Sequence, residues 1–257
     1  MDAADVELAA DALWQAQPSA VSEVALGDGR VLLTADVVDV ALVAARWGAR
    51  VVEPDSDAHL DAWRAWATPL RAGRRLLLQP TWLAAAEPGP DDVVVLLDPL
   101  RSFGSGSHPS TQLVLAVLDD HLTGGERVLD VGCGSGILAV AACRLGAAAA
   151  VAVDVEEAAV AATTANAVAN GVGELVDAST TPVAELAGAF DVVVANLGAR
   201  VLRELVPVLQ ARVASGGLLV LAGLLDGQAA ELRAAFTGWA EVERRAADGW
   251  VALVLRR

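Results

Sequence analysis

Lysine and tyrosine are missing altogether from this sequence, and cysteine occurs only at positions 133 and 143. Two scattered thiols, Cys133 and Cys143, cannot build a disulfide framework and are ordinary in a reducing compartment. No apolar stretch reaches membrane-spanning length before a charge, glycine or proline interrupts it. The opening "MDAADVELAADALW" is acidic where a secretory signal would be basic. A cytoplasmic protein without membrane contact is therefore expected, and no metal site is read. Without lysine, all 18 basic residues are arginine, set against 33 acids for a formal net charge of −15. The alanine-rich, arginine-only composition reflects coding bias. The field it leaves still disfavours direct nucleic-acid binding and draws in a basic partner at low salt.

What is abundant is apolar: 55% of the 257 residues are hydrophobic, enough for a large core. Residues 1–56 read as a small α+β unit. "DVELAADALWQ" and "VVDVALVAARWGA" have helical periodicity, the second stopped by Gly48, and "AVSEVAL" and "RVLLTADV" are strands joined by Gly27-Asp28-Gly29. With a last short strand "RVVEPD", the order is that of a ferredoxin-like unit lacking its first strand. A linker helix spans 57–70, capped by Asp57, with Trp63 and Trp66 on one face. These tryptophans and Trp82 read as interdomain packing rather than a substrate platform. Within 71–257, "RRLLLQPTW" and "DVVVLLDP" read as a hairpin with a long Pro- and Gly-rich loop. After Gly125 strands and helices alternate, and the chain ends in an antiparallel pair turned at Asp248-Gly249. The pattern predicts a doubly wound α/β sheet with a mixed edge.

The first of those strands runs into a glycine turn, "VLDVGCGSGILAV" at 128–140. In an open α/β sheet, ligands bind beyond the carboxyl ends of strands. A dinucleotide fingerprint needs glycines at positions one, three and six, but Ile137 occupies the sixth here. A phosphate-binding P-loop is excluded because no Gly-Lys-Ser/Thr follows. Asp130, two residues before Gly132, would repel a pyrophosphate and suits a cation.

The Asp-x-Gly-x-Gly-x-Gly run at 130–136 resembles the S-adenosylmethionine loop of class I methyltransferases, which implies a seven-stranded sheet of that type. In that family an acid ending the next strand binds both ribose hydroxyls, and "AVAVDV" supplies Asp154. An acid ending the third strand lies near the adenine amino group, and "ELVDAS" supplies Asp177. Upstream, "DPLRSFGSGSHPSTQL" at 98–113 is, by composition, a flexible loop. It resembles the loop "AFGTGTHPTT" of the PrmA family, which methylates the large-subunit ribosomal protein numbered eleven. "DAWRAWATPLRAGRRLLLQPTW", "DVVVANLGARVLRELVP" and "GGLLVLAGLLDGQAAEL" resemble that family in the same order, so residues 57–257 match well and the first 56 in outline.

The resemblance implies N-methylation of lysine side chains and of an N-terminal α-amino group on a basic ribosomal protein, by a monomer. It implies that the small domain grips that protein while the linker repositions it. It assigns Phe103, Gly104 and Ser105 to the side of the cofactor, with Phe103 also beside the reacting centre. It places Asp130, Gly132, Cys133, Gly134 and Gly136 in the cofactor loop, Asp154 with Val155 and Asp177 with Ala178 at the next two strand ends. Asn196, ending strand four, would touch the cofactor and orient the acceptor nitrogen. His108 reads first as a loop-ordering side chain, and a cap of the following helix is the competing role for Asn196. The loop carries Ser105, Ser107 and Ser110 for the family's threonines, and Gly198 and Arg200 alter the lip beside Asn196. A different amine acceptor, protein or small molecule, is the alternative. An Asn-Pro-Pro-Tyr segment, usual in glutamine and DNA-adenine methyltransferases, is absent.

Overall fold

The computed structural model describes residues 21–25, 31–35, 68–84, 87–98 and 106–257. The chain divides into two compact units, Met1–Asp55 and Ser56–Arg257. In the first, β1 (Val21–Ala25) and β2 (Val31–Ala35) pair antiparallel, Val21 opposite Ala35 and Ala25 opposite Val31. Five residues between the strands are short enough for a hairpin. The turn glycines 27 and 29, the helices ending at Gly48, the strand "RVVEPD", Asp57, Trp63 and Trp66 lie outside the described residues.

The second unit begins with a three-stranded leaflet: β3 (Leu70–Ala72), β4 (Leu76–Pro80) and β5 (Val93–Leu97). Leu70 is thus already a strand residue, not the end of the linker helix. The leaflet also corrects the hairpin reading. β3 takes the antiparallel position beside β4 through the tight turn at Gly73, and β5 joins the other edge parallel, Leu76 opposite Val93 and Pro80 opposite Leu97. Buried Asp119 shapes that turn, its Oδ2 accepting the Arg74 and Arg75 N–H groups at 2.5 and 2.9 Å and its Oδ1 the Arg75 Nε at 2.7 Å.

Asp119 belongs to α1 (Pro109–His121), which leads into the main sheet. The following elements are β6 (Arg127–Val131), α2 (Ile137–Arg144), β7 (Ala149–Val153), α3 (Glu157–Ala169), β8 (Val176–Ser179) and β9 (Phe190–Asn196). The unit is completed by α4 (Ala199–Arg212), β10 (Val213–Leu225), α5 (Asp226–Ala234), β11 (Ala240–Ala247) and β12 (Trp250–Arg256). The seven strands lie in the order β11-β12-β10-β9-β6-β7-β8, parallel except for β12, which runs antiparallel to both neighbours. Asp248 and Gly249 both take positive φ, +50° and +79°, as a tight hairpin turn requires.

Successive residues of the central strands feed two separate cores, because a strand points alternate side chains to opposite faces. Val128, Val192, Val194, Val220 and Val254 pack with α1, α2 and the leaflet. Leu129, Val193, Leu219, Leu221 and Leu253 pack with α4 and α5. Both faces are covered, so Val192 to Ala195 of β9 read as a continuous apolar run instead of an alternating one. The chain after β6 turns to one face and the chain after β9 to the other, so their loops diverge between two neighbouring strands. A crevice at such a switch point is the usual ligand seat of open α/β sheets. Among the described residues no helix is long and apolar enough to cross a membrane.

Candidate active site

Pairing registers place the rim of the crevice. Val131 stands level with Val153 on one side and Ala195 on the other, so the next residues, Gly132, Asp154 and Asn196, share one level at three adjacent strand ends. The Gly132 and Cys133 N–H groups donate to Val153 O at 2.8 and 3.1 Å, which fastens the glycine loop to β7. Gly132, Gly134 and Gly136 all take positive φ. At Gly136 a methyl group would lie 2.6 Å from the Thr163 hydroxyl, so only glycine lets α3 come this close.

The two rim carboxylates do different things. Asp154, half-buried, accepts Gly134 N–H at 2.9 Å through Oδ2 and Glu156 N–H at 3.1 Å through Oδ1, tying the glycine loop to the start of α3. Val155 beside it is 94% exposed, an apolar surface at the mouth. Asp130 is fully buried below the loop. Its Oδ2 accepts Ala139 N–H at 3.2 Å and its Oδ1 has no partner. Burial, with the charge of Asp154 adding to it, raises the Asp130 carboxyl to about 7. Burial and the nearby Asp130 charge raise the Cys133 thiol to about 12, so it is protonated and unreactive.

Asp177 and Ala178 are not brought to this rim. Asp154 N–H bonds Ser179 O, and β8 pairs with β7 through Ser179, so Asp177 stands opposite Val151. That leaves it exposed and three residues below the level of Asp154, about 10 Å along the strand. The strand end instead offers Ser179, whose Oγ accepts Thr181 N–H. Phe103, Gly104 and Ser105 lie outside the described residues.

Asn196 is not a helix cap. Gly198 holds the N-cap position of α4, and the Asn196 Nδ2 donates to Thr111 Oγ1 in the first turn of α1 at 3.2 Å. With its nitrogen turned to Thr111, the amide presents its carbonyl oxygen the other way. His108 caps α1: its Nδ1 accepts Ser110 N–H at 3.3 Å, and its ring meets Trp250 edge-on at 4.6 Å. Burial pulls its pKa below the ordinary value, which keeps the imidazole neutral and suits a loop-ordering role.

Asn166 of α3 and Asn170, its C-cap, had little signal in the sequence. Asn170 pairs with both backbone groups of Leu96 at 2.7 Å, and Asn166 with both of Asp98 at 2.8 and 3.0 Å. The second amide hydrogen of Asn166 reaches Ser135 O at 2.9 Å. One turn apart, the two amides act as a surrogate strand along the free edge of β5 and fasten it to the glycine loop. A buried asparagine in an alanine-rich helix is the only local hint of this.

The donor set suits a cationic nucleoside: an orphaned carboxyl oxygen under the loop, glycines that a Cβ would obstruct, a rim carboxylate and an apolar lip. Sheet order, glycine loop and strand-end acid together define a class I methyltransferase fold. The chain belongs to the ribosomal protein L11 methyltransferase (PrmA) family, which residues 33–257 match. A Pelobacter propionicus protein named ribosomal protein L11 methyltransferase is 43% identical over 205 residues, 76% of this chain and 65% of that protein. A Chromobacterium violaceum protein of the same name is 47% identical over 187 residues, 72% of this chain. The match spans only 61% of the Chromobacterium protein's length. The crystal structure of a ribosomal protein L11 methylase from Lactobacillus delbrueckii superposes with a TM-score of 0.67 at 29% identity. It covers 73% of this chain and 96% of that one.

Proposed function

We propose that the protein transfers methyl groups from S-adenosylmethionine to amino groups of ribosomal protein L11, on lysine side chains and the N-terminal α-amine. The observation that carries this reading is the shared level of Asp154, Gly132 and Asn196, which sets a cofactor cradle beside an amine-orienting carbonyl. Family membership supports the acceptor, and a net charge of −15 favours a basic protein over nucleic acid.

When bound, the cofactor supplies a methyl group on a sulfonium sulfur, open to in-line attack. Asp154 would bind ribose hydroxyls and Val155 would lie against the adenine ring, while the Asp130 carboxyl beneath the loop would meet the cationic end on losing its proton. Asp177, exposed and three residues below the level of Asp154, is left out of this cradle. Phe103, Gly104 and Ser105 would cover the cofactor from the segment joining β5 to α1. An attacking amine must be neutral, yet a free lysine of pKa near 10.4 is neutral in only about one molecule in 2,500 at pH 7. Desolvation in the half-buried crevice lowers that pKa, and the Asn196 carbonyl accepts an amine N–H to aim the lone pair. No dedicated base is needed, and His108 is occupied as a cap. A monomer acting in the cytoplasm fits this chemistry, with substrate gripped by residues 1–56.

The test is mass spectrometry of ribosomal protein L11 from cells with and without the gene, alongside labelled-donor methylation of the purified protein. A mass lower by multiples of a methyl group in the knockout is expected. Identical masses together with no transfer in vitro reject the acceptor. Transfer to another amine would support the alternative reading.

A further inference from the structure

Beside the crevice a leucine, Leu197, is held between two glycines, Gly132 of the loop after β6 and Gly223 of β10. Leu197 follows Asn196 at the end of β9, and its N–H donates to Ala222 O at 3.1 Å, so it stays stapled to β10 after β6 has turned away. Gly223 is its backbone seat. That residue has φ +82°, and a Cβ there would lie 2.5 Å from Leu197 O and 2.9 Å from Leu197 C. On the other flank the leucine side chain lies over Gly132 of the cofactor loop, where any Cβ would collide with Leu197 Cδ2. Gly132 has φ +76°, so both glycines combine a left-handed backbone with contact to this one residue. Leu197 itself is only half-buried.

We propose that Leu197 is a positioning residue that sets the distance between the amine-orienting Asn196 and the cofactor loop. This rests on the methyltransferase reading above and adds to it the element that joins the acceptor side to the donor side. The mechanical logic is short. β6 and β9 diverge at this point, and their pairing ends at Val131 and Ala195, one residue short of Gly132 and Asn196. The isobutyl group fills the gap beyond it, and the Gly223 contact keeps it from backing away. Asn196 is held from the opposite side by Thr111. Shortening the leucine frees the amide to move toward the cofactor loop or rotate, and in-line attack tolerates little of either: about 1 Å of misplacement costs on the order of 100-fold.

The experiment compares the wild-type full chain with Leu197→Ala and Leu197→Met. It reads the Asn196 side-chain amide signals by NMR, S-adenosylhomocysteine affinity by calorimetry, and steady-state methylation of ribosomal protein L11. In Leu197→Ala the Asn196 amide signals should shift and exchange with water about tenfold faster or more. S-adenosylhomocysteine should bind within about twofold of wild type, while kcat falls about 10- to 100-fold at unchanged KM. Leu197→Met, which conserves volume, should restore both the amide signals and most of kcat. Unmoved Asn196 signals, or an affinity loss as large as the kcat loss, would overturn the proposal. If wild-type protein leaves ribosomal protein L11 unmethylated, the functional reading fails instead, and the amide and affinity measurements still decide the role of Leu197.

Discussion

Replacing Asp130 by asparagine should make the ligand-free protein more stable as pH rises, relative to wild type. The carboxyl is fully buried, one oxygen has no partner, and its folded pKa of about 7 lies some three units above the ordinary value of 3.8. Between those values the folded state holds a proton that the unfolded state has released, so stability falls as pH rises and the loss is complete above pH 7. Three units correspond to about 4 kcal/mol at most, and any water admitted to the loop reduces it. About 2.5 kcal/mol of this accrues between pH 5 and pH 8. The amide introduced by Asp130→Asn does not titrate and keeps an oxygen for the Ala139 N–H. The difference between variant and wild type should therefore move by about 2–2.5 kcal/mol in the variant's favour between those pH values. Urea unfolding of both proteins at pH 5, 6, 7 and 8 measures it, since the other titrating groups cancel in the difference. A difference that stays flat across this range would refute the reasoning: Asp130 would then be solvated in the folded state.

On the proposed reading, Asp154→Ala should weaken S-adenosylmethionine binding by about 1–3 kcal/mol, because it would strand two ribose hydroxyls and free the Gly134 N–H. Unchanged calorimetric affinity would contradict the ribose role. Asn170→Ala removes three hydrogen bonds, two of them to Leu96, and should lower stability by about 2–4 kcal/mol in urea unfolding. A loss below about 0.5 kcal/mol would show that β5 does not depend on this clamp. For Asp119, burial by itself would raise the pKa, but the Arg75 backbone and guanidinium and the Arg74 N–H outweigh it and hold the carboxyl below its ordinary range. The stabilisation is then present above about pH 4 and lost as pH falls further. The deficit of Asp119→Asn should accordingly be constant from pH 8 to pH 5 and shrink by pH 3.5, read again from unfolding midpoints. A deficit that grows on acidification would reverse the assignment.

The parts of the fold that the sequence discloses are those whose signals are local. "RVLDV" and "AEVERRAA" coincide with β6 and β11 to the residue, because charged or glycine-bearing turns bound them on both sides. Strand direction has no such signal. Periodicity cannot say whether "DVVVLLDP" returns beside β4 or crosses over it, and the answer depends on β3, three residues too short to read. In the site, glycines 132, 134 and 136 were legible since glycine adopts their left-handed backbone at the least cost. The depth of Asp177 was not, because it follows from how far β8 pairs with β7 rather than from residue type. Asn166 and Asn170 bond partners 68 and 74 residues away, which no spacing rule anticipates. The link from Asn196 to Thr111 is equally remote in sequence, and it is what removes the cap reading.

The protonation states around the crevice bear on how an amine would react there. Cys133 is held neutral by burial with a pKa near 12, His108 is kept neutral by burial, and Asp130 carries its proton through most of the acid range up to about pH 7. A site meant to abstract protons would show the opposite, a group exposed to the acceptor and poised to ionise. Here the described side chains beside the glycine loop are uncharged, capped or turned into backbone bonds, with Asp154 committed to two N–H groups. On the proposed reading the ammonium must therefore shed its proton to water on the way in, because the crevice solvates charge poorly and the Asn196 carbonyl offers only one partner. The pH dependence of kcat/KM should then follow the amine of the substrate, rising through about pH 8 to 9 without an enzyme group setting a lower limb near 6. A limb near pH 6 to 6.5 that disappears in His108→Gln would place the base in the protein and sink this account.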